Sequence, residues 1–157
     1  MSALLFIDQR EASLGLAKRG PEAEIRSLIA EWEDALCRRD LESLMACYGH
    51  DVVLFDVHPP FRVEGIDRIR ELWEGVLPLI PDRFERSDLR IVADRTSAFA
   101  HWCFRPAGRL EHAVVPAWIR VSAGYRKDGG LWKIIHEHVS LPVDPLTNQA
   151  VSFAELP

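Results

Sequence analysis

The sequence predicts an α+β domain in which helices come first and pack on one face of a curled antiparallel sheet. Two observations support this prediction. Apolar residues recur at helical spacing between residues 22 and 77, whereas residues 84–141 are rich in β-branched and aromatic side chains and alternate as strands do. In addition, Lys127-Asp128-Gly129-Gly130 separates two strand-like runs and is typical of a hairpin turn.

Three helices are predicted in the first half of the chain. The first begins at Pro21, with acidic residues in its first turn, basic residues in its last turn and an apolar stripe. The stripe consists of Ile25, Leu28, Ile29, Trp32 and Leu36. Asp40 is expected to cap a short second helix, Leu41–Tyr48. A third helix is predicted from Gly65 to Pro78, because proline cannot continue it.

Strands account for the rest of the predicted domain. They are expected at residues 51–57, 84–93, 97–105, 112–127 and 131–141. The predicted organisation is one domain, residues 21–143, between an N-terminal arm, residues 1–20, and a C-terminal tail, residues 144–157. A chain of 157 residues is long enough for one such domain to bury a sizeable core.

Composition narrows the classes of function. The chain has 19 basic and 24 acidic residues, a net charge of −5 and no basic block, so no nucleic-acid partner is expected. Three cysteines without CxxC spacing are typical of free thiols in a reducing compartment. The apolar run Met1–Ile7 is too short for a secretory leader, and no stretch has transmembrane length. A cytoplasmic protein without membrane contact is therefore expected.

Three stretches resemble a known family. They are the helix end Cys37–Tyr48, the strand and loop Asp51–Gly65 (DVVLFDVHPPFRVEG) and the run Ile119–Pro142 (IRVSAGYRKDGGLWKIIHEHVSLP). With the order of elements, they resemble SnoaL-like and ketosteroid-isomerase-like proteins of the nuclear transport factor two-like superfamily. The last stretch is also similar to the association domain of calcium/calmodulin-dependent protein kinase two. The resemblance covers about residues 22–143 and implies a cone-shaped, curved antiparallel sheet with the N-terminal helices on its concave face.

Asp56 is the first candidate for chemistry. The resemblance implies that it matches the general-base carboxylate of ketosteroid isomerase, eight residues beyond Tyr48. A carboxylate in an apolar cleft can take up and return a proton, although an acid that only pairs with an arginine is the alternative. His58 is a candidate proton carrier at the pocket rim, or else a turn residue without a task.

The resemblance also shows a departure from steroid isomerase chemistry. Ketosteroid isomerase stabilises its enolate with a tyrosine and a protonated aspartic acid. The corresponding positions here are Trp32 and, approximately, Val121, which has no carboxyl group. Loss of both donors should cost several kcal/mol of transition-state stabilisation, so steroid isomerase activity is not expected.

Arg120 is the second candidate. It shares a strand face with Trp118, Ser122 and Gly124. The resemblance to the kinase association domain, which carries a matching arginine inside its cavity, implies that Arg120 lies inside the cone. A guanidinium in an apolar cavity needs an anion, and either Asp56 or a ligand carboxylate can supply it.

Two histidines stand two positions apart near the end of the last strand. His136 and His138 are expected to share one face with Trp132 and Ile134. They can line the pocket, serve a structural role or join a metal site, but nothing in the spacing makes metal ligands converge, so no metal is predicted. Glu137, between them, is expected on the convex outer face, where subunits of this fold usually pair.

The expected function is that of a small-molecule enzyme of the isomerase, cyclase or dehydratase kind. Asp56 would remove a proton next to a carbonyl, and Arg120, Trp32 or His136 would steady the negative charge. No external cofactor is implied. The alternative is a non-catalytic ligand-binding or oligomerisation module of the same fold, in which Arg120 holds a carboxylate ligand.

The expected site and partners follow from these assignments. The expected catalytic residues are Asp56, His58, Arg120 and His136, and the expected pocket residues are Trp32, Leu36, Trp73, Trp102, Trp118, Ser122 and His138. The expected partners are a small apolar or carboxylate-bearing molecule and a second copy of the chain, in a homodimer through the sheet.

Overall fold

The computed structural model describes residues 20–107, 118–151 and 153. Its helices are α1 (Pro21–Arg38), α2 (Leu41–Ala46) and α3 (Ile66–Val76), and a 3₁₀ turn, Leu77–Leu79, follows α3. Its strands are β1 (Tyr48–Phe55), β2 (Arg62–Glu64), β3 (Phe84–Ala93), β4 (Ser97–Pro106), β5 (Ile119–Asp128), β6 (Leu131–Ser140), β7 (Val143–Asp144) and β8 (Gln149–Ala150). Residues 1–19 of the predicted arm, residues 112–117 of a predicted strand and most of the last six residues lie outside this range.

The α+β architecture predicted from the sequence is confirmed. Six strands form one curved sheet in the order β2-β1-β6-β5-β4-β3, and β7 pairs with β8 in a separate hairpin. All neighbours in the large sheet are antiparallel except β1 and β6, which run parallel. After β2 the chain passes through α3 to β3, at the opposite edge of the sheet. Strands β4, β5 and β6 then follow one after another, which places β6 beside β1. Among the described residues, no helix has both the length and the apolar character needed to cross a bilayer.

Most predicted element boundaries are confirmed. Asp40 caps α2, where its side chain accepts a hydrogen bond from the amide of the third helical residue at 3.1 Å. The helix ends at Ala46, however, because Tyr48 is already the first residue of β1. Gly129 and Gly130 connect β5 to β6 with φ values of 59° and 87°, which the predicted hairpin turn requires.

The core lies between α1 and the concave face of the sheet. The apolar stripe predicted for α1 is buried there, together with inner side chains of β4, β5 and β6. At its N-terminal end α1 is fixed to the β5–β6 hairpin through Glu24, whose carboxylate accepts hydrogen bonds from Lys127 Nζ and Trp132 Nε1, both at 2.6 Å. This attachment holds Trp32, in the middle of α1, over the sheet.

A β-bulge interrupts β6. Ile134 is opposite Tyr125 and His136 is opposite Gly124, so Ile135 is an extra residue with no partner of its own on β5. An extra residue reverses the side on which all later side chains of a strand project. The two halves of β6 therefore alternate in opposite phase.

The bulge corrects the predicted orientation of the end of β6. Before it, Trp132 and Ile134 face the core and are buried; after it, Glu137 faces the core, and only 3% of its surface is exposed. His136 and His138 project to the outer face. The prediction that both histidines share the inner face and that Glu137 faces outward is wrong, because it assumed unbroken alternation.

Candidate functional site

A buried hydrogen-bond chain joins α1, β1 and β6. Trp32 Nε1 donates to the hydroxyl of Tyr48 at 2.9 Å, and that hydroxyl donates to Glu137 Oε2 at 3.0 Å. All three residues are at most 7% exposed. In the parallel pairing of β1 with β6, Tyr48 is opposite Ile134 and Leu54 is opposite Glu137, so the Tyr48 side chain reaches along the inner face to Glu137. The inner stripe of α1 supplies Trp32. The three residues form the polar centre of an otherwise apolar core.

The carboxyl group of Glu137 has a pKa close to neutral pH. Burial raises the pKa of Glu137 from 4.5 to about 7; the hydrogen bond from Tyr48 opposes this rise, and the negative charge of Asp56 adds to it. Both protonation states are therefore populated at neutral pH. A general acid–base group works best when its pKa lies close to the working pH.

Tyr48 remains a neutral donor beside this carboxyl group. Burial, followed by the charge of Glu137, raises the pKa of Tyr48 well above its ordinary value, and the indole N–H groups of Trp32 and Trp73 oppose that rise. A tyrosine that stays protonated can hold Glu137 in place without exchanging its own proton.

Trp73, on α3, adds a second indole N–H to the site. Its ring centroid lies 6.1 Å from that of Trp32, at an interplanar angle of 74°. The N–H faces Tyr48 closely enough to influence its pKa. The same Nε1 is buried and makes no hydrogen bond of standard geometry within the described residues. Its N–H therefore lies beside the Tyr48 hydroxyl, in the same buried cluster as Glu137.

Asp56 lies at the rim of the site, immediately after β1. Its side chain is 22% exposed, and its Oδ1 accepts a hydrogen bond from the backbone amide of His58 at 3.3 Å. The same oxygen is 3.6 Å from Nδ1 of His58, whose side chain is 83% exposed. Because the charge of Asp56 raises the pKa of Glu137, the two carboxyl groups are within electrostatic reach of each other.

Arg120 lies on the outer face of the sheet, not inside the cone. It is exposed, and its neighbours across the sheet are Cys103 and Ser140. The sequence separates the two faces of β5 correctly, but the apolar face is the buried one, because leaving a guanidinium in water avoids the cost of burying it. The predicted interior position of Arg120, and its pairing there with Asp56, are wrong.

Four other predicted pocket or catalytic residues share this outer location. His136 and His138 pack against the ring of Phe55, with centroid distances of 5.0 and 5.8 Å. Ser122 is paired with His138 on the outer face, and Trp118 lies under the guanidinium of Arg105 at 4.8 Å. The structure thus does not bring these residues to the Glu137 site.

The remaining predicted pocket residues lie on the inner side. Trp32, Leu36 and Trp102 are buried, and Trp73 is half-buried against them. Their contact with a ligand stays a prediction. A separate groove of about 670 Å³ lies between α1, α2 and the β5–β6 turn, and none of the hydrogen-bonded chain lines it.

Sequence reasoning missed the two central residues, Tyr48 and Glu137. The sequence predicts Tyr48 at the end of a helix, and unbroken alternation along β6 predicts Glu137 on the outer face. One signal was available: the adjacent apolar pair Ile134-Ile135 interrupts strict alternation, as a bulge in a half-buried strand does. In the described part of the chain, no group of three or more histidine, cysteine, aspartate or glutamate side chains is arranged to hold a metal ion.

Comparison with known proteins identifies the family. The model of the SnoaL-like domain matches residues 25–144. The chain therefore belongs to the SnoaL-like family, and the family expected from the sequence is confirmed. A search of the curated proteins gives no significant match.

Solved structures agree with this assignment. An NTF2-like protein of unknown function from Pseudomonas putida is 31% identical, with a TM-score of 0.78 over 86% of this chain and 96% of that one. A ketosteroid isomerase-like protein from Erwinia carotovora is 21% identical, with a TM-score of 0.65 over 76% and 94%. A candidate dehydratase of the NTF2-like family from Streptomyces avermitilis is 14% identical, with a TM-score of 0.63 over 75% and 93%. The last two comparisons support the fold alone.

Proposed function

We propose that this protein is an enzyme of the isomerase, cyclase or dehydratase kind that moves a proton on a small carbonyl compound, with Glu137 as its acid–base group. The observation that carries the proposal is a carboxyl group that is 97% buried, has a pKa of about 7 and is held by the hydroxyl of Tyr48. Proteins named as ketosteroid isomerase-like and as a dehydratase share this fold, which is compatible with the proposed reaction class. Function must still be argued from the site, since one fold hosts many activities.

The proposed step is proton abstraction next to the carbonyl. Ionised Glu137 takes a proton from the neighbouring carbon: the C–H bond breaks, an O–H bond forms on Glu137, and the electron pair moves to the carbonyl oxygen as an enolate. The indole N–H of Trp73, which lies beside the Tyr48 hydroxyl, donates to that oxygen in this proposal and stabilises its charge. Glu137 then returns the proton to the same carbon or to another.

Asp56 serves in this proposal as a proton relay, not as the base. Its charge raises the pKa of the buried Glu137, and its Oδ1 is 3.6 Å from Nδ1 of the exposed His58. Protons exchanged with solvent can pass from Glu137 through Asp56 to His58. This role accounts for the partial exposure of Asp56 at the rim. A base that acts on a buried substrate would not need contact with solvent.

Proton exchange tests the proposal without knowledge of the natural substrate. In D₂O, the wild-type protein should accelerate deuterium exchange at the methyl group of 2-acetylnaphthalene, followed by ¹H NMR, and the rate should rise with pH through about 7. Glu137→Gln should lower the rate at least about a hundredfold, the lower end of what general acid–base catalysis contributes. Glu33→Gln is the matched control, since burial also raises the pKa of Glu33, but that residue lies outside the hydrogen-bonded chain.

Two results would count against this function. Equal exchange rates for the wild type and Glu137→Gln would remove Glu137 from the chemistry. Binding of the ketone without any acceleration of exchange would instead favour the non-catalytic binding module.

We also propose that the outer face of the sheet pairs with a second copy of the chain. Val92 and Phe99 are direct cross-strand partners on this face, with 72% and 49% of their surfaces exposed, and Phe55 is 36% exposed. Such an apolar area is typical of an interface, and a twofold pair would cover it on both copies. Sedimentation should show a dimer that Phe99→Glu converts to a monomer. Phe61→Glu, which alters a 78% exposed loop residue, should remain dimeric; a monomeric wild type would contradict the proposal.

A further inference from the structure

We infer that self-association through the outer face of the sheet is controlled by protons: two copies of the chain pair when His101, His136 and His138 are neutral and separate when these histidines are charged. The inference rests on the homodimer proposed above and extends it, because it states how the interface is built and what opens it. It does not depend on the chemistry proposed for Glu137.

The three histidines lie in the middle of the outer face. Two rows of directly paired residues cross all six strands of the large sheet. From β3 to β2, the first row is Val92, Phe99, Gly124, His136, Val53 and Glu64, and the second is Arg90, His101, Ser122, His138, Phe55 and Arg62. Directly paired residues project to the same side of a sheet, so the histidines and the phenylalanines share one surface.

Each of these histidine rings contacts a phenylalanine of the apolar area. The ring centroids of His136 and His138 lie 5.0 and 5.8 Å from that of Phe55, and the centroid of His101 lies 6.1 Å from that of Phe99. Both phenylalanines are exposed, and a second copy would cover them. Covering the phenylalanines also removes the histidines from water, and the loss of water disfavours the charged form of an imidazole.

Most carboxylates of this face are already held by arginines. The ion pairs are Arg126 with Asp51 and Asp128, Arg62 with Glu64, and Arg105 with Glu85. Asp88 lies near Cys103: burial raises the pKa of this thiol, the charge of Asp88 adds to the rise, and the charge of Arg120 opposes it. This acid therefore has a cation close to the same thiol, and the face offers little negative charge to a protonated histidine.

Cations on the same face add to the repulsion. Arg90 is the direct neighbour of His101 on β3, and it makes no ion pair within the described residues. Lys133, on β6, is bonded only to the backbone carbonyl of Ala46 within this part of the chain. In a twofold pair the facing surface is the same surface, so a second copy brings the same histidines and cations again. Charged imidazoles from both copies would be buried together, at a cost that no free carboxylate offsets.

Association should therefore weaken as the pH falls through the range in which histidine gains a proton, ordinarily about pH 6.5. Separated copies bind protons that the dimer excludes, so a lower pH favours separation. One pH unit below that value, each histidine that must stay neutral weakens association about tenfold. One such histidine in each copy gives about a hundredfold, so the dissociation constant should rise at least about a hundredfold from pH 8 to pH 5.5.

Sedimentation equilibrium of the full-length protein at pH 8 and pH 5.5 tests the inference. The wild type should show this rise in dissociation constant, and its far-UV circular dichroism should stay the same, which separates dissociation from unfolding. The triple variant His101→Gln, His136→Gln and His138→Gln should remain a dimer at both pH values, because glutamine does not ionise.

A single variant and two controls complete the experiment. His136→Gln, which alters the half-buried member of the set, should reduce the pH dependence even if the triple variant no longer pairs. His58→Gln is the matched control and should respond as the wild type does, because His58 is 83% exposed in a loop and lies outside the two rows. Glu137→Gln should also keep the response, which excludes the inner carboxyl group as its source.

The possible failures are distinguishable. A wild type that is monomeric at pH 8 would overturn the homodimer and this inference with it. A dimer of equal strength at both pH values, or the same response in the wild type and His136→Gln, would overturn this inference alone. Tighter association at pH 5.5 would also overturn it, since carboxylates of the second copy would then face the histidines. Absence of deuterium exchange would overturn the proposed catalysis without changing any of these results.

Discussion

Replacing Glu137 with glutamine is expected to remove about 3 kcal/mol of pH dependence from the unfolding free energy. Burial raises the pKa of Glu137 to about 7 in the folded protein, against about 4.5 in the unfolded chain. Each pKa unit corresponds to about 1.4 kcal/mol, so the shift of about 2.5 units gives this value. The stabilisation is fully present below pH 4.5 and is lost as the pH rises through 7.

Urea unfolding at pH 5 and pH 8 measures this effect. Glutamine keeps a carbonyl oxygen that can accept the hydrogen bond from Tyr48, but it does not ionise. The unfolding free energy of Glu137→Gln minus that of the wild type should therefore increase by more than about 2 kcal/mol from pH 5 to pH 8, because only the wild type loses stability as Glu137 ionises. A difference that is the same at both pH values would mean that the carboxyl group has an ordinary pKa in the folded protein.

Glu42→Gln provides a control of opposite sign. Hydrogen bonds from Arg70, at 2.6 and 3.1 Å, lower the pKa of Glu42. Stability from this pair is present above the unfolded pKa of Glu42 and is lost as the pH falls through the folded pKa. The free energy of unfolding of Glu42→Gln should therefore be below that of the wild type at neutral pH and should approach it at acid pH. The effect should be small because the pair is on the surface.

Replacing Tyr48 with phenylalanine is expected to cost about 3 kcal/mol of stability at pH 8. The substitution leaves the Glu137 carboxylate without its donor and the Trp32 indole without its acceptor, and both groups are buried. Each unpaired buried group costs about 1–3 kcal/mol. The cost should be smaller at pH 5, where Glu137 is protonated and no charge is left unpaired.

The same variant should move the titration of Glu137. The hydrogen bond from Tyr48 lowers the pKa of Glu137, so its loss should raise that pKa above 7. NMR titration of the Glu137 carboxyl carbon measures the shift. Tyr125→Phe is the matched control, because Tyr125 is equally buried but its hydroxyl makes no hydrogen bond within the described residues. Equal costs for the two tyrosines would show that packing, not the hydrogen-bonded chain, explains the loss.

Helices and strands could be predicted from the sequence because their signals are local. The stripe on α1, the Asp40 cap and the two glycines of the β5–β6 turn each act within a few residues, and all three are found as predicted. The family could be recognised for the same reason, since its motifs are short and contiguous.

The candidate site could be predicted only in part, because it depends on pairing between distant strands. One extra residue, Ile135, reverses the phase of β6. As a result Glu137 faces the core, and His136 and His138 face outward. The choice of face for Arg120 failed for a different reason, because it followed the resemblance to the kinase association domain. Alternation separates the two faces of β5, and the face of Val121, Ala123 and Tyr125 is buried because it is apolar.

The parallel pairing of β1 with β6 has a consequence for the way the protein matures. Tyr48 and Glu137 are 89 positions apart, so their bond closes a very large loop and belongs to the slow, late events of folding. During synthesis on the ribosome, β1 cannot pair with β6 until β3, β4 and β5 have also been synthesised. A nascent or truncated chain that ends before β6 contains all three α-helices of the described residues but lacks Glu137, so the buried hydrogen-bond chain forms only after β6 has been synthesised.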